Sequence, residues 1–349
     1  MDSPEPSASD PAAGSAPFPR LVGDVGGTHA RFGVVAARGE GVTHIREFAC
    51  DDHDSLESVV DSYFRETQAV PPAACAIAIA TPLTGDRVSM TNRDWSFSIE
   101  SLRLRLGVDR LLVLNDFTAL ALALPALSRN ELEPVGAGRA MAGEALALLG
   151  PGTGFGVGCL VAAGDAVLPL ASEGGHATLS AADEREDRVI AALRREFGHA
   201  SAERALSGSG LVNLYRFACA EANRAPLPLA PADVSARALA GSDEACSDAV
   251  ELFFALLGGV AGNLALTVGA RGGVYIGGGI VTRLGDWIHR SRFRTRFESK
   301  GRFRAYLSSI PVWLIRPSSP PALRGANAAL DLGRWPSPEP SARPQAVRR

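Results

Sequence analysis

Apolar residues along this chain fall into short blocks that follow one of two rhythms. Some are runs of strand length closed off by glycine or polar residues; others recur every three to four positions, as on one face of a helix. CAIAIATPL (residues 75–83) and DRLLVLNDF (109–117) read as buried strands running into turns. LVGDVGGTHARFGVV (21–35) reads as strand, tight turn, strand, because Gly33, Val34 and Val35 disfavour a helix after the break at Gly26, Gly27 and Thr28. ALALLGPGTGFGVGCLVAAG (145–164) repeats the device about 125 residues later, again with a threonine at the bend. Either these are two unrelated hairpins, since glycine-rich turns are common, or the chain carries a duplicated domain with one loop from each half. A third cluster, GGVYIGGGIVTRLGDWI (272–288), sets Gly277, Gly278 and Gly279 between a strand and an amphipathic helix with Ile280, Leu284, Trp287 and Ile288 on one face. Strands alternating with helices predict an α/β fold.

The opening hairpin is neither of the common nucleotide loops. A dinucleotide fingerprint has a third spaced glycine and runs into a helix, and a P-loop has a lysine after its last glycine. Lys300 is the only lysine in the chain, every other basic residue being arginine or histidine. Any polyphosphate must therefore be held by backbone N–H groups, hydroxyls, arginine and metal.

The chain has 349 residues, 46% hydrophobic and 21% charged, with a net charge of −3. That length predicts two domains, and that charge supplies no global field for nucleic acid or an anionic membrane. No apolar run is expected to reach the roughly 18 to 20 residues of a membrane span. MDSPEPSASDPAAGSAPFPR (1–20) and GRWPSPEPSARPQAVRR (333–349) have the composition of a disordered lead and tail, and the lead lacks the basic start and apolar core of a signal peptide. Five cysteines, at 50, 75, 159, 219 and 246, show no metal-ligand spacing and read as buried small hydrophobes in a cytoplasmic protein.

Several polar groups interrupt the apolar pattern. In LLVLNDFTALALALP (111–125) a buried strand ends on Asn115 and Asp116 as a helix begins. They are either a helix cap or a carboxylate at the C-terminal edge of a sheet, where ligands of open α/β sheets collect. ASEGGHATLSAAD (171–183) carries Glu173 and His176 around two glycines, a set suited to reading a polyol, to surface polarity, or to one leg of a metal site. In HASAERALSGSGLVNLY (199–215) Ser201 starts a helix and Glu203 lies in its first turn, where it would answer the helix dipole. HRSRFRTRFESKGRFRAY (289–306) interleaves aromatics with arginines. That is either nucleic-acid colouring or a solvated face over Phe293, Phe297 and Phe303 packed inward, and the acidic net charge favours the second.

Taken in order, GDVGGTHARF, LNDFTALALALP, GPGTGFGVG, EGGH, SAERALSGSGLVNLY, GGVYIGGGI and KGRFRAYLSSIPVWLI resemble the bacterial ATP-dependent glucokinases of the hexokinase, actin and Hsp70 superfamily, over roughly residues 21 to 335. The resemblance implies a two-domain actin-like (ribonuclease H-like) α/β sugar kinase fold with an interdomain cleft. Its parts would be a disordered lead 1–20, a small domain 21–126 plus about 318–335, a large domain 127–317 and a disordered tail 336–349.

It further implies ATP and Mg²⁺ as cofactors, D-glucose phosphorylated at its 6-hydroxyl, a cytoplasmic location with no nucleic-acid or membrane partner, and a homodimer. By the same resemblance Gly23, Asp24, Val25, Gly26, Gly27 and Thr28 form one phosphate loop, with Asp24 near Mg²⁺ and reaching it through water. Gly152, Thr153 and Gly154 form the second loop, and Gly277, Gly278 and Gly279 lie along the adenosine. Asn115, Asp116, Glu173, His176 and Glu203 match sugar-binding positions, with Asp116 as the catalytic base. The cysteine cluster of the zinc-containing repressor/ORF/kinase branch is missing from this sequence. A kinase for another hexose, a polyphosphate donor and a catalytically silent sugar-responsive regulator remain the alternatives.

Overall fold

β1 (Arg20–Val25) and β2 (His29–Val35) form the antiparallel hairpin expected at the first glycine break, with Val25 opposite Ala30. The computed structural model, which describes residues 15–332 other than 92, 164, 165 and 318, divides into two compact units: Met1–Ala126 with Ser319–Arg349, and Leu127–Ser318.

In unit 1 the hairpin continues into β3 (Thr43–Ala49), antiparallel to β2. α1 (Leu56–Thr67) follows, its first turn capped by the Ser55 hydroxyl. β4 (Ala74–Ile79) is buried at every position and lies parallel to β1, as a strand covered on both faces should be. A short hairpin of β5 (Arg87–Ser89) and β6 (Ser96–Ser98) leads into α2 (Ile99–Leu106). β7 (Arg110–Asn115) then pairs parallel with β4, and α3 (Asp116–Ala123) starts at its last residue. The sheet order is β3-β2-β1-β4-β7.

Unit 2 opens with β8 (Leu132–Pro134), then β9 (Leu146–Pro151), β10 (Phe155–Ala163) and β11 (Ala166–Leu170). Four helices follow: α4 (Glu184–Phe197), α5 (Gly208–Glu221), α6 (Pro231–Ala240) and α7 (Glu244–Val268). β12 (Gly273–Ile276) precedes α8 (Gly279–Leu284), α9 (Trp287–Arg290), α10 (Phe293–Glu298) and α11 (Arg304–Ser308), and β13 (Val312–Ile315) closes the unit. Its sheet order is β11-β10-β9-β12-β13-β8. From β11 to β13 it repeats unit 1: two antiparallel pairings, then two parallel ones. Two sheets with the same order and directions are what a duplicated domain produces.

Four sequence expectations change in this fold, the last of them at residues 15–20. α7 is 25 residues long and apolar enough to cross a membrane, so a run of that length does exist. It is the core helix of unit 2, with 67% of its most apolar window buried. The single amphipathic helix expected after Gly279 is two short ones, because Gly285 breaks it at φ 56°. Ile280, Leu284 and Ile288 still face inward. In the basic run Phe293 and Phe297 are buried and stacked, whereas Phe303 is exposed. Its arginines bond within the unit: Arg292 to Asp183, Arg294 to Glu298 and Arg296 to the buried Glu186. All five cysteines are buried free thiols, as expected.

The chain returns to unit 1 as α12 (Pro321–Ala329), packed on α3 and β1. The fully buried Arg20 fastens it, donating to Asn327 Oδ1 at 2.9 Å and Asp331 Oδ1 at 2.8 Å. Arg20 also reaches back to the Ala16 carbonyl and the Ser15 hydroxyl, and Ala16 N–H donates to the Leu330 carbonyl. Residues 15–20, placed in the disordered lead on composition, are therefore packed structure. The remainder of the lead, 1–14, and the tail 336–349 lie outside the described residues.

Candidate active site

In unit 1 three parallel strands end in register, with Val25 opposite Ile79 and Ile79 opposite Asn115. The loop at 26–28 and the Asn115–Asp116 pair therefore leave the same C-terminal sheet edge, two strands or roughly 10 Å apart. At β7 both readings of the polar pair hold at once. Asn115 Oδ1 caps α3 by accepting from Phe117 N–H at 3.0 Å and Thr118 N–H at 3.3 Å. Asp116 Oδ1 accepts from Phe117 N–H at 2.9 Å, so its carboxylate is anchored at the helix start, where the dipole favours negative charge.

The loop itself is closed by Gly26 N–H donating to the His29 carbonyl at 2.9 Å, which leaves Thr28 exposed. Gly23 is required by packing, since a β-carbon there would come within 2.6 Å of the Phe32 ring. Asp24 is half-buried one residue before the end of β1. Burial pushes its carboxyl up, and Arg31, 3.6 Å away and itself paired with Glu47, pulls against that shift. Two residues outside every motif, Arg93 and Cys50, hold the loop from outside. Arg93 Nε donates to the Gly27 carbonyl at 3.0 Å while its guanidinium lies over Trp95. Cys50 N–H donates to the Thr28 carbonyl at 2.8 Å. These contacts come from across the fold and leave no local spacing to read.

In unit 2 the second loop, Gly152–Gly154, follows β9 as the first follows β1. Gly152 N–H donates to the Gly154 carbonyl at 2.8 Å, and Thr153 at the tip is exposed. Gly277 N–H donates to the Leu149 carbonyl at 2.8 Å, which brings the 277–279 cluster to the edge where this loop leaves β9. Gly278 has φ 93°, and a β-carbon there would overlap the Pro151 carbonyl oxygen, so only glycine fits.

Glu173 and His176 bracket a single 3₁₀ turn, Gly174–His176, and both are exposed. That turn is tied to the Glu203 segment by Ala202 N–H donating to the Ala177 carbonyl and Leu179 N–H donating to the Ala200 carbonyl, each at 2.9 Å. Glu203 lies in a 3₁₀ turn, Ala202–Arg204, and not in the first turn of an α-helix. Its Oε2 accepts from Phe155 N–H at 2.8 Å, so the carboxylate serves the second loop and not a helix dipole.

Each unit thus gathers its own half of the expected set. Unit 1 brings Asp24, Thr28, Asn115 and Asp116 to one sheet edge; unit 2 brings Gly152–Gly154, Glu173, His176, Glu203 and Gly277–Gly279 together. A family model described as Glucokinase matches residues 21–332. This chain belongs to the glucokinase family. The glucokinase of Aromatoleum aromaticum is 52% identical over 322 residues, 92% of this chain and 97% of its own. That of Chromobacterium violaceum is 51% identical over 324 residues, 93% of this chain and 92% of its own. Among solved structures, a glucokinase from an Antarctic psychrotroph aligns with a TM-score of 0.83 at 35% identity, over 89% of this chain and 98% of that one. The glucokinase-family chain therefore has the actin-like sugar kinase fold. Among its described residues, no group of three or more His, Cys, Asp or Glu is arranged to hold a metal on its own.

Proposed function

We propose that this glucokinase-family chain transfers the γ-phosphoryl group of Mg-ATP to the 6-hydroxyl of D-glucose, with Asp116 as the general base. The observation that carries the reading is the position of Asp116: a carboxylate at the C-terminal sheet edge of unit 1, the same edge that the Gly26–Thr28 turn leaves. A protein does little covalent work in phosphoryl transfer; positioning and charge neutralisation dominate. Asp116 takes the hydroxyl proton as the oxygen attacks phosphorus, and Asn115 orients the same sugar. Glu173, His176 and Glu203 bind sugar hydroxyls, which suits two exposed side chains on a hydrogen-bonded turn and a third held by Phe155 N–H. Thr28 and Thr153 with the glycine backbones meet the phosphates, and Gly277–Gly279 pass along the adenosine.

Mg²⁺ fits the donors present. Asp24 and Thr28 would hold it, offering hard oxygens but too few to enclose an ion, which suits a cation that would keep most of its waters. When bound it would neutralise charge on the transferring group. Five reduced, buried thiols support a cytoplasmic setting.

The test is a coupled ADP-release assay with Mg-ATP against glucose, fructose, mannose, galactose and N-acetylglucosamine, run with Asp116→Asn alongside. The asparagine keeps an oxygen for Phe117 N–H, so the cap geometry survives. Turnover should favour glucose, and the variant should bind glucose normally while kcat falls by ~10² to 10⁴, the span for a lost general base. Turnover retained within a few-fold would remove Asp116 from that role, and preference for another hexose would replace the substrate.

A further inference from the structure

In unit 2 the residues assigned to sugar and the loop assigned to phosphate meet at one residue, Phe155. Phe155 directly follows Gly154. Its N–H donates to Glu203 Oε2 at 2.8 Å, and its carbonyl oxygen occupies the place where a β-carbon on Gly175 would stand. A β-carbon on Gly154 would lie 2.7 Å from the same Glu203 oxygen. The other end of the loop is held from the same segment, since Gly208 N–H donates to the Gly152 carbonyl at 2.9 Å and the Ser207 hydroxyl donates to the Glu203 carbonyl at 2.8 Å.

We propose that Glu203 is a positioning residue for the nucleotide as well as a sugar ligand: its carboxylate holds the 152–154 loop in phosphate-binding shape before any sugar arrives. Gly175 is its counterpart, allowing the sugar turn to close on the Phe155 carbonyl. A loop of two glycines and a threonine is costly to fix, because glycine loses more freedom on ordering than any other residue. An acceptor oxygen fixed on the first N–H after the loop opposes that cost. One carboxylate then contributes an oxygen to each substrate's site. This inference rests on the assignment of residues 152–154 to the phosphates, and its test separates the two.

The experiment titrates AMPPNP with Mg²⁺ into the full chain by calorimetry without sugar, for the parent, Glu203→Ala, Glu203→Gln and Thr153→Ala. Glu203→Ala should weaken AMPPNP roughly tenfold even though no sugar is present, as expected for a lost hydrogen bond that orders the loop. Glu203→Gln, whose amide oxygen can still accept from Phe155, should stay within about threefold. If Thr153→Ala weakens AMPPNP and Glu203→Ala does not, the loop assignment stands and the positioning role is overturned. If neither changes it, both are overturned. Equal weakening in the Ala and Gln variants assigns the effect to charge and not to the Phe155 bond, which also overturns it. Should Glu203→Ala fail to fold, amide hydrogen exchange on the sugar-free parent decides: Phe155 N–H should be protected, and rapid exchange there would overturn the proposal.

Discussion

At the scale of single residues, the two glutamates of unit 2 carry different loads although both are assigned to sugar. Glu203 has a protein partner at 2.8 Å, while the Glu173 side chain, among the described residues, makes no hydrogen bond or ion pair. A carboxylate left exposed on a turn closed by His176 N–H donating to the Glu173 carbonyl at 2.9 Å is spare capacity for a ligand. Glu173→Ala is therefore expected to weaken glucose binding by roughly 1.5 to 3 kcal/mol, the value of a hydrogen bond to a charged group, while thermal unfolding stays where it was. Calorimetric titration with glucose beside a melting curve reads both. A lowered melting temperature with unchanged glucose affinity would make Glu173 a structural residue.

At the scale of elements, a close helix contact in unit 1 bears on the helix that carries the proposed base. α12 crosses α3 at Gly325, where a β-carbon would overlap the Ala119 carbonyl oxygen, one turn along the helix that begins at Asp116. Helix propensity alone favours Gly325→Ala by about 1 kcal/mol, whereas forcing the helices apart should cost roughly 1 to 3 kcal/mol. Urea unfolding should show net destabilisation, together with a lower kcat as α3 shifts; a stabilised variant would mean that the crossing yields easily. Elements of this kind also mark what could be read from sequence. Both glycine–threonine hairpins were legible because turn chemistry and β-branched neighbours act locally, and so was the strand end at Asn115. The break at Gly285 was not, because Ile280, Leu284 and Ile288 keep helical spacing across it. Nor was the reach of Arg93 to Gly27 or of Glu203 to Phe155, since nothing in either segment names its distant partner.

At the scale of the whole chain, unit 1 is built from two segments more than 190 residues apart, 15–126 and 319–332, and it needs the second to cover β1 and α3. Arg20 is where they are pinned. Residues 15–20 have the composition of a disordered lead; what orders them is a set of acceptors about 310 residues downstream. Burial pushes the Asp331 carboxyl up, but hydrogen bonds from Arg20 and Ser15, with the charge of Arg20, outweigh it and hold it below the usual carboxylate range. A depressed native pKa gives stability that is present above the unfolded value and lost as pH falls through the native one. Acidification through about pH 4 and below should therefore loosen unit 1 by this route. Asp331 is half-exposed, so the contribution should be at most about 1 kcal/mol and should shrink in high salt. Asp331→Asn should unfold at lower urea than the parent at pH 7, with the gap closing as pH drops below 4. A gap that stays constant down to pH 3 would mean that Asn327 and the backbone carbonyls hold Arg20 without help from the carboxylate.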